Sequence, residues 1–303
     1  MGETILDILF RNNQPVAAVP GGSSFNSIIS IGRTGVPCSF IGYTGGDRVG
    51  QQIIGFMQEN NVDTQYFEVR QQEKAAVSLA FLDDNGDAQY VFHKEIPSAN
   101  AQVHMPSFQP DDCVLYGSYY AVCSGLRPQV RSVLDAAQQS GAIVYYDLNF
   151  RQSHQHELEA LLPNIHSNFR QSTIVRGSAD DFQVMYGLRD ARTIYRQHIA
   201  AYCPLFICTA GAGLVTVCTP TQCFDFQAPQ IDAVVSTVGA GDNFNAGFLY
   251  ALIRQGVGKS QMPSLSQQQW QQLIDVACAF AGQACRTTDN YISHAFAASL
   301  SRS

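Results

Sequence analysis

From residue 126 onward, apolar runs rich in β-branched and aromatic residues alternate with amphipathic segments of helix length, and this alternation constrains the fold more than any other feature. The 3.6-residue spacing predicts helices over 126–140, 158–168 and 194–202, and the apolar runs predict strands over 143–147, 173–176 and 205–209. Alternation of this kind produces a parallel sheet with helices on both faces, so an α/β chain with a mostly parallel central sheet is expected.

The first third is patterned differently. Short strand-like pieces at 5–10, 16–19, 75–82 and 88–93 are joined by turn signals, and Asn85-Gly86 marks a hairpin. Between them Phe25, Ile28, Ile29 and Gly32 fall on one helical face. Two excursions, about 8–19 and 71–94, predict a small β-sheet lid on a single domain spanning 1–303. The stretch Gly2-Glu3-Thr4-Ile5-Leu6-Asp7 reads as the end of a strand whose earlier residues are missing. The glutamine-rich patch at 267–272 reads as the solvated start of a helix, and a helix is read over 276–286.

A formal net charge of −7 with scattered lysines and arginines lacks the basic surface that nucleic-acid binding needs. No run reaches the roughly 18 apolar residues of a membrane span, and the N-terminus lacks the basic and apolar regions of a secretory signal. The expectation is a soluble, cytoplasmic protein with neither nucleic acid nor membrane as partner. The nine cysteines are spread along the chain, none at Cys-x-x-Cys spacing. Cys208 and Cys278 sit inside apolar runs, and no histidines complete a zinc site around Cys203/Cys208 or Cys218/Cys223, so all are read as buried free thiols.

The most informative segment is Ser236-Thr237-Val238-Gly239-Ala240-Gly241-Asp242-Asn243-Phe244-Asn245-Ala246-Gly247, which leads into a helical pattern through Phe248, Leu249, Leu252 and Ile253. Its glycines therefore sit at a helix N-terminus, where free backbone N–H groups and the helix dipole favour an anion. Asp242 stands in the first turn. A carboxylate there repels a phosphate but can take the proton of an attacking hydroxyl. Taken alone, such an Asp could equally serve only the helix dipole.

The run Gly239-Ala240-Gly241-Asp242-x-Phe244-x-Ala246-Gly247 resembles the C-terminal signature of the ribokinase-like (PfkB) carbohydrate kinase family. Gly21-Gly22-Ser23-Ser24-Phe25-Asn26, followed by Gly32 and Gly35, resembles the N-terminal signature. Gly42-x-x-Gly45-Gly46-Asp47-x-x-Gly50, Asp147-x-Asn149-x-Arg151 and Thr209-x-Gly211 follow in the family's order, and the Asp147 motif is most similar to those of fructokinases and ketodeoxygluconate kinases. The resemblance implies a three-layer α/β sandwich with a β-sheet lid, and an ATP-dependent kinase acting on a hydroxyl of a small sugar or sugar acid. It implies Asp242 as general base, with the amides of Gly239, Ala240, Gly241 and Asp242 stabilising the transferring phosphoryl group. Asp7, Gly22 and Asn26 would surround the sugar, and Arg151 would meet an acidic sugar's carboxylate or the nucleotide's phosphates. Ser178, Thr209, Gly211, Ala279 and Gly282 would line the ATP site, and Asp181 would position Mg²⁺ through water. The resemblance also makes a homodimer through the lid plausible.

Departures from the family pattern carry their own expectations. Ser236 stands where the family usually has Asp, and a neutral hydroxyl is a weaker ligand for a hard cation, which places monovalent-cation activation in doubt. Ser178-Ala179-Asp180-Asp181 replaces an Asn-x-x-Glu motif, and both acids could instead only begin a helix. Gly213 is displaced relative to the family's glycine after Gly211. The alternatives are a non-catalytic sugar-binding or regulatory protein on the same fold, and a nucleoside kinase. A phosphorylated acceptor would call for extra basic residues near Asn26, where Arg33 and Arg48 read as solvated surface arginines.

Overall fold

The computed structural model describes residues 1–82, 88–94 and 103–300. The Asn85-Gly86 hairpin signal lies outside them. The chain forms two compact units: residues 1–105, 233–246 and 281–303 make the first, and 106–232 with 247–280 the second.

The first unit opens with β1 (Ile5–Arg11), β2 (Gln14–Gly21) and α1 (Ser23–Arg33), followed by β3 (Cys38–Ser39), β4 (Gly42–Gly45) and α2 (Arg48–Glu59). β5 (Val62–Asp63), β6 (Phe67–Arg70), β7 (Val77–Leu82) and β8 (Ala88–His93) complete its strands. The sheet order β2-β1-β7-β8 draws on both excursions read from the sequence. The short ladders β3–β5 and β4–β6 were not legible there, because two to four residues carry no periodicity. Phe25, Ile29, Phe40, Ile53, Met57, Val62, Phe67 and Tyr291 form this unit's core, and the predicted apolar face of α1 packs into it. The Gly42–Gly50 motif is structural. Asp47 caps α2 by accepting from the Gly50 amide at 3.0 Å and tethers the Ala75 amide at 3.2 Å. Arg33 is not a solvated surface residue: it donates to Asn60 Oδ1 and to the Ile292 carbonyl, both at 2.6 Å, and lies 5.2 Å from the centre of the Tyr291 ring. Arg48 is exposed, as expected.

The second unit is built on β9 (Cys113–Gly117), α3 (Arg127–Ser140), β10 (Ile143–Asp147), α4 (Leu158–Gln171), β11 (Ile174–Ser178), α5 (Ala179–Tyr186) and α6 (Ala191–Ile194). β12 (Leu205–Thr209), β13 (Leu214–Cys218) and β14 (Cys223–Gln227) follow. β9 to β12 pair in parallel, and β13 and β14 add an antiparallel edge. Every residue of β10 is buried, as a strand covered on both faces requires. Tyr145 meets Phe248 at 5.6 Å, while its neighbour Tyr146, pointing to the opposite face, meets Phe169 of α4 at 5.9 Å. That alternation places helices on both sides of the sheet. The predicted helix over 194–202 is instead α6 running into a wider turn at Tyr195–Ile199.

α7 (Ala240–Gln255) and α8 (Gln267–Ala284) each begin in one unit and end in the other, and α9 (His294–Leu300) belongs to the first. The patch at 267–272 does start a helix, which ends two residues before Arg286. Among the described residues no helix is long and apolar enough to cross a membrane.

The reading of all cysteines as buried free thiols is corrected in two respects. Cys218 and Cys223 are register partners across β13 and β14 and form a disulfide. A hairpin places such pairs directly opposite each other, which spacing in the sequence did not reveal. Cys38, Cys113, Cys123 and Cys278 are only partly buried, unlike Cys203, Cys208 and Cys285.

Candidate active site

In the first unit two helix N-termini meet around one carboxylate. Gly22 precedes α1 with φ of +123°, and a Cβ there would lie 2.5 Å from the Glu3 carbonyl oxygen, so only glycine admits this entry into the helix. α1 then presents Ser23, Asn26, Ser27 and Ser30 at i, i+3, i+4 and i+7, a polar stripe opposed to its apolar face. All four bond the start of α7. Ser23 Oγ donates to Asp242 Oδ1 and Asn26 Nδ2 to Asp242 Oδ2, both at 2.7 Å. Ser27 Oγ donates to the Asp242 carbonyl at 2.8 Å, and Ser30 Oγ to Asn243 Oδ1 at 2.6 Å. Asp242 is therefore more than a dipole partner for its own helix.

The glycine turn ahead of α7 is held as firmly. Gly239 has φ of +77°, and a Cβ there would approach the Asn290 carbonyl at 3.0 Å. Asn243, fully buried, donates to the carbonyls of Gly239 at 2.8 Å and Asn290 at 2.9 Å. Ala240 and Gly241 are the first helical residues, so their amides have no acceptor within the helix, and the Ala240 amide donates back to the Thr237 carbonyl at 3.3 Å.

The predicted sugar-side residues Asp7, Gly22 and Asn26 all fall in this unit. Asn26 is 5% exposed, and its Oδ1 is buried without a hydrogen-bond partner. Reversing the amide would turn Oδ1 against the Asp242 carboxylate, so the orientation is fixed by chemistry. Asp7 accepts a hydrogen bond from Ser78 Oγ, and its Oδ2 would lie 2.6 Å from a Cβ at Gly21. Burial pushes the Asp7 carboxyl up, the Ser78 bond works against that, and Glu3 adds to it.

In the second unit Ser178 and Thr209 end the parallel strands β11 and β12, where open α/β sheets bind ligands. Ser178 and Thr209 are register partners on β11 and β12. Arg176 donates to Asp147 Oδ1 at 2.9 Å and to Thr209 Oγ1 at 2.7 Å. Burial alone would lower the Arg176 guanidinium, but Asp147 beside it more than compensates and holds it protonated. Gly211, with φ of +56°, forms the turn into β13, closed by the Gly213 amide on the Ala210 carbonyl. Arg151 is exposed and lines a small crevice with Ser118, Tyr119, Asn149 and His154. Ala279 and Gly282 both lie in α8, Ala279 exposed and Gly282 buried.

The metal expectations fit less well. Ser178 and Asp181 form a reciprocal capping box on α5: the Asp181 amide donates to Ser178 Oγ at 3.1 Å and the Ser178 amide to Asp181 Oδ2 at 2.6 Å. Burial pushes the Asp181 carboxyl up, against that amide bond and the nearby Arg176. Among the described residues no group of three or more His, Cys, Asp or Glu could hold a metal ion. Ser236 Oγ accepts from the Val238 amide at 3.2 Å, leaving no carboxylate at that point of the loop.

Residues 11–294 match the pfkB family of carbohydrate kinases. The chain belongs to that family. Among its pfkB relatives, an aminoimidazole riboside kinase of Salmonella typhimurium is 28% identical over 84% of this chain and 80% of its own. A fructokinase of Escherichia coli is 24% identical over 91% and 89%. The fold is that of a fructokinase from Vibrio cholerae O395 crystallised with fructose, ADP and calcium, with a TM-score of 0.83 at 21% identity over 98% of this chain and 96% of that one. It is equally that of the aminoimidazole riboside kinase from Salmonella enterica, with a TM-score of 0.80 at 23% identity over 99% and 97%. The ribokinase-like architecture expected from the sequence, a mostly parallel sheet between helices with a small second sheet, is the observed one, and the protein is a carbohydrate kinase.

Sequence reasoning quoted Ser23 and Asn243 within the two signature segments without giving them a role, and it missed Ser27 and Ser30. Their signal was available: a second, polar face on α1 at the same helical spacing as the apolar one.

Proposed function

We propose that this kinase transfers the terminal phosphoryl group of ATP to a hydroxyl of a small uncharged sugar, with Asp242 as general base. The single observation that carries this reading is the Asp242 carboxylate held between Ser23 and Asn26 at the start of α7, beside the Gly239–Gly241 amides. The acceptor hydroxyl gives its proton to Asp242 as its oxygen attacks the phosphorus in line, and the turn's amides meet the charge that builds on the phosphoryl oxygens. Asp7 and Asn26 orient the sugar. The unpartnered Oδ1 of Asn26 needs a donor, and a sugar hydroxyl supplies one. An acidic or phosphorylated acceptor fits poorly, since Asp7 and Asp242 would repel it and Arg33 is spent on Asn60 and Ile292. Thr209, Gly211, Ala279 and Gly282 contribute to nucleotide binding, Ser178 and Asp181 chiefly anchor α5, and Arg151 serves the phosphates. Magnesium would arrive on the nucleotide, neutralising its phosphates.

A riboside acceptor is the second reading, favoured by the 28% identical relative. ATP consumption with magnesium, measured against fructose, ribosides, sugar acids and sugar phosphates, decides between them. Fructose turnover that falls roughly 10²–10⁴-fold in Asp242→Asn supports the proposal, whereas near-normal turnover in that variant sinks the base assignment.

The β2-β1-β7-β8 sheet is proposed to act as a lid and to pair with a second copy. Val16 on its β2 edge is 58% exposed, and Phe92 on its β8 edge 56%. Sedimentation should report a dimer that Val16→Lys weakens; a monomer in the parent protein rules this out.

A further inference from the structure

We infer that Ser23 is a positioning residue for phosphoryl transfer, its hydroxyl fixing the Asp242 carboxylate and favouring its ionised form. The inference rests on Asp242 being the base. Ser23 and Asn26 are three residues apart on α1, so their donors reach the carboxylate from one face, and each takes a different oxygen at 2.7 Å. Two donors on two oxygens fix the carboxylate's rotation, which a single bond would not. The frame behind them is rigid. Ser27, fully buried, ties α1 to the Asp242 main chain at 2.8 Å, and its Oγ also lies 3.2 Å from the Ser23 carbonyl. The Asn26 amide closes the first turn on the Gly22 carbonyl at 2.8 Å. Ser23 is thus placed by backbone that cannot drift while its side chain stays half-buried.

A carboxylate oxygen has room for more than one donor, so the acceptor hydroxyl can join Ser23 on Asp242 without displacing it. The consequence is chemical as well as geometric. A hydrogen bond given to the charged form favours that form, so Ser23 keeps more of the base unprotonated at mildly acidic pH. A serine that only packed α1 would leave the pH profile alone.

Tyr291, on the segment ahead of α9, interacts with Asp242, and burial keeps its hydroxyl neutral far above the working range. Asp7, Asp289 and Arg33 also act on Tyr291. Arg33 stays charged, and the raised carboxyl of Asp7 is one group able to bend an acid limb.

The test is the pH dependence of kcat/KM for the best acceptor in the parent protein, Ser23→Ala and Ser23→Thr, repeated in an Asp7→Asn background, with thermal melts alongside. Ser23→Ala is expected to move the acid limb up by about one pH unit and to lower kcat roughly tenfold, with KM for ATP unchanged. Ser23→Thr restores both, because the hydroxyl is restored. In an Asp242→Asn background, Ser23→Ala costs nothing further. An acid limb and kcat unmoved in Ser23→Ala, with Asp242→Asn inactive, overturn the role of Ser23 and leave the base intact. Activity surviving in Asp242→Asn removes the base itself.

Discussion

Two aspartates, one in each unit, follow short motifs read from the sequence, and the structure treats them in opposite ways. Asp147, at the end of β10, is 2% exposed and paired with the buried guanidinium of Arg176 at 2.9 Å. Asp242, in the first turn of α7, is half-buried and receives neutral donors from Ser23 and Asn26 at helix ends. A buried carboxylate facing a fixed cation ties its surroundings together. One held by a hydroxyl and an amide, with solvent access left, is oriented without being neutralised. A motif aspartate oriented by neutral donors and still half-buried is therefore a better candidate base than one locked onto a buried guanidinium.

The comparison breaks most readily at Asp147. Asp147→Ala strands the Arg176 guanidinium in a buried site, and urea unfolding should show a loss of about 3–5 kcal/mol. Asp242→Asn in the same experiment should lose under about 1 kcal/mol while abolishing turnover. Replacing both partners, Asp147→Leu with Arg176→Met, should recover much of the stability, since removing the pair also removes its desolvation cost. If Asp147→Ala unfolds at the parental urea concentration, Asp147 is no structural anchor, and the strand-end cluster has to be reconsidered as a ligand site.

The contrast also shows what the sequence could and could not convey. β10 and β12 were legible to the residue, because buried parallel strands are continuous apolar runs bounded by polar turns. The helix start at Ala240 followed from the glycine turn. Three things were hidden. The partners of Asp147 and Asp242 depend on which strands and helices become neighbours, so neither Arg176 nor Ser23 could be matched to its carboxylate by spacing. The disulfide of Cys218 and Cys223 required knowing that both lie opposite each other in a hairpin. Asp181 was read with both a metal role and a helix-start role open, and its capping box with Ser178 gives weight to the second.

Asp7 sharpens the comparison, because it lies in the same unit as Asp242 and is half-buried like it, yet its carboxyl is held by Ser78. Its carboxyl is raised by burial, with the Ser78 bond opposing and Glu3 reinforcing. A carboxyl raised in the folded state is best tolerated when protonated, so its contribution to stability is full below the ordinary value of 3.8 and is lost as pH rises through the folded value. At neutral pH the ionised Asp7 should therefore be a liability that the protein carries for sugar binding. Asp7→Asn keeps an oxygen for Ser78 and removes the charge. Urea unfolding at pH 7 should then show a gain of about 1 kcal/mol, shrinking towards zero near pH 3, while KM for the acceptor rises. A variant less stable than the parent at pH 7 would mean that the Ser78 bond outweighs desolvation, and Asp7 would then join Asp147 as an anchor of the fold.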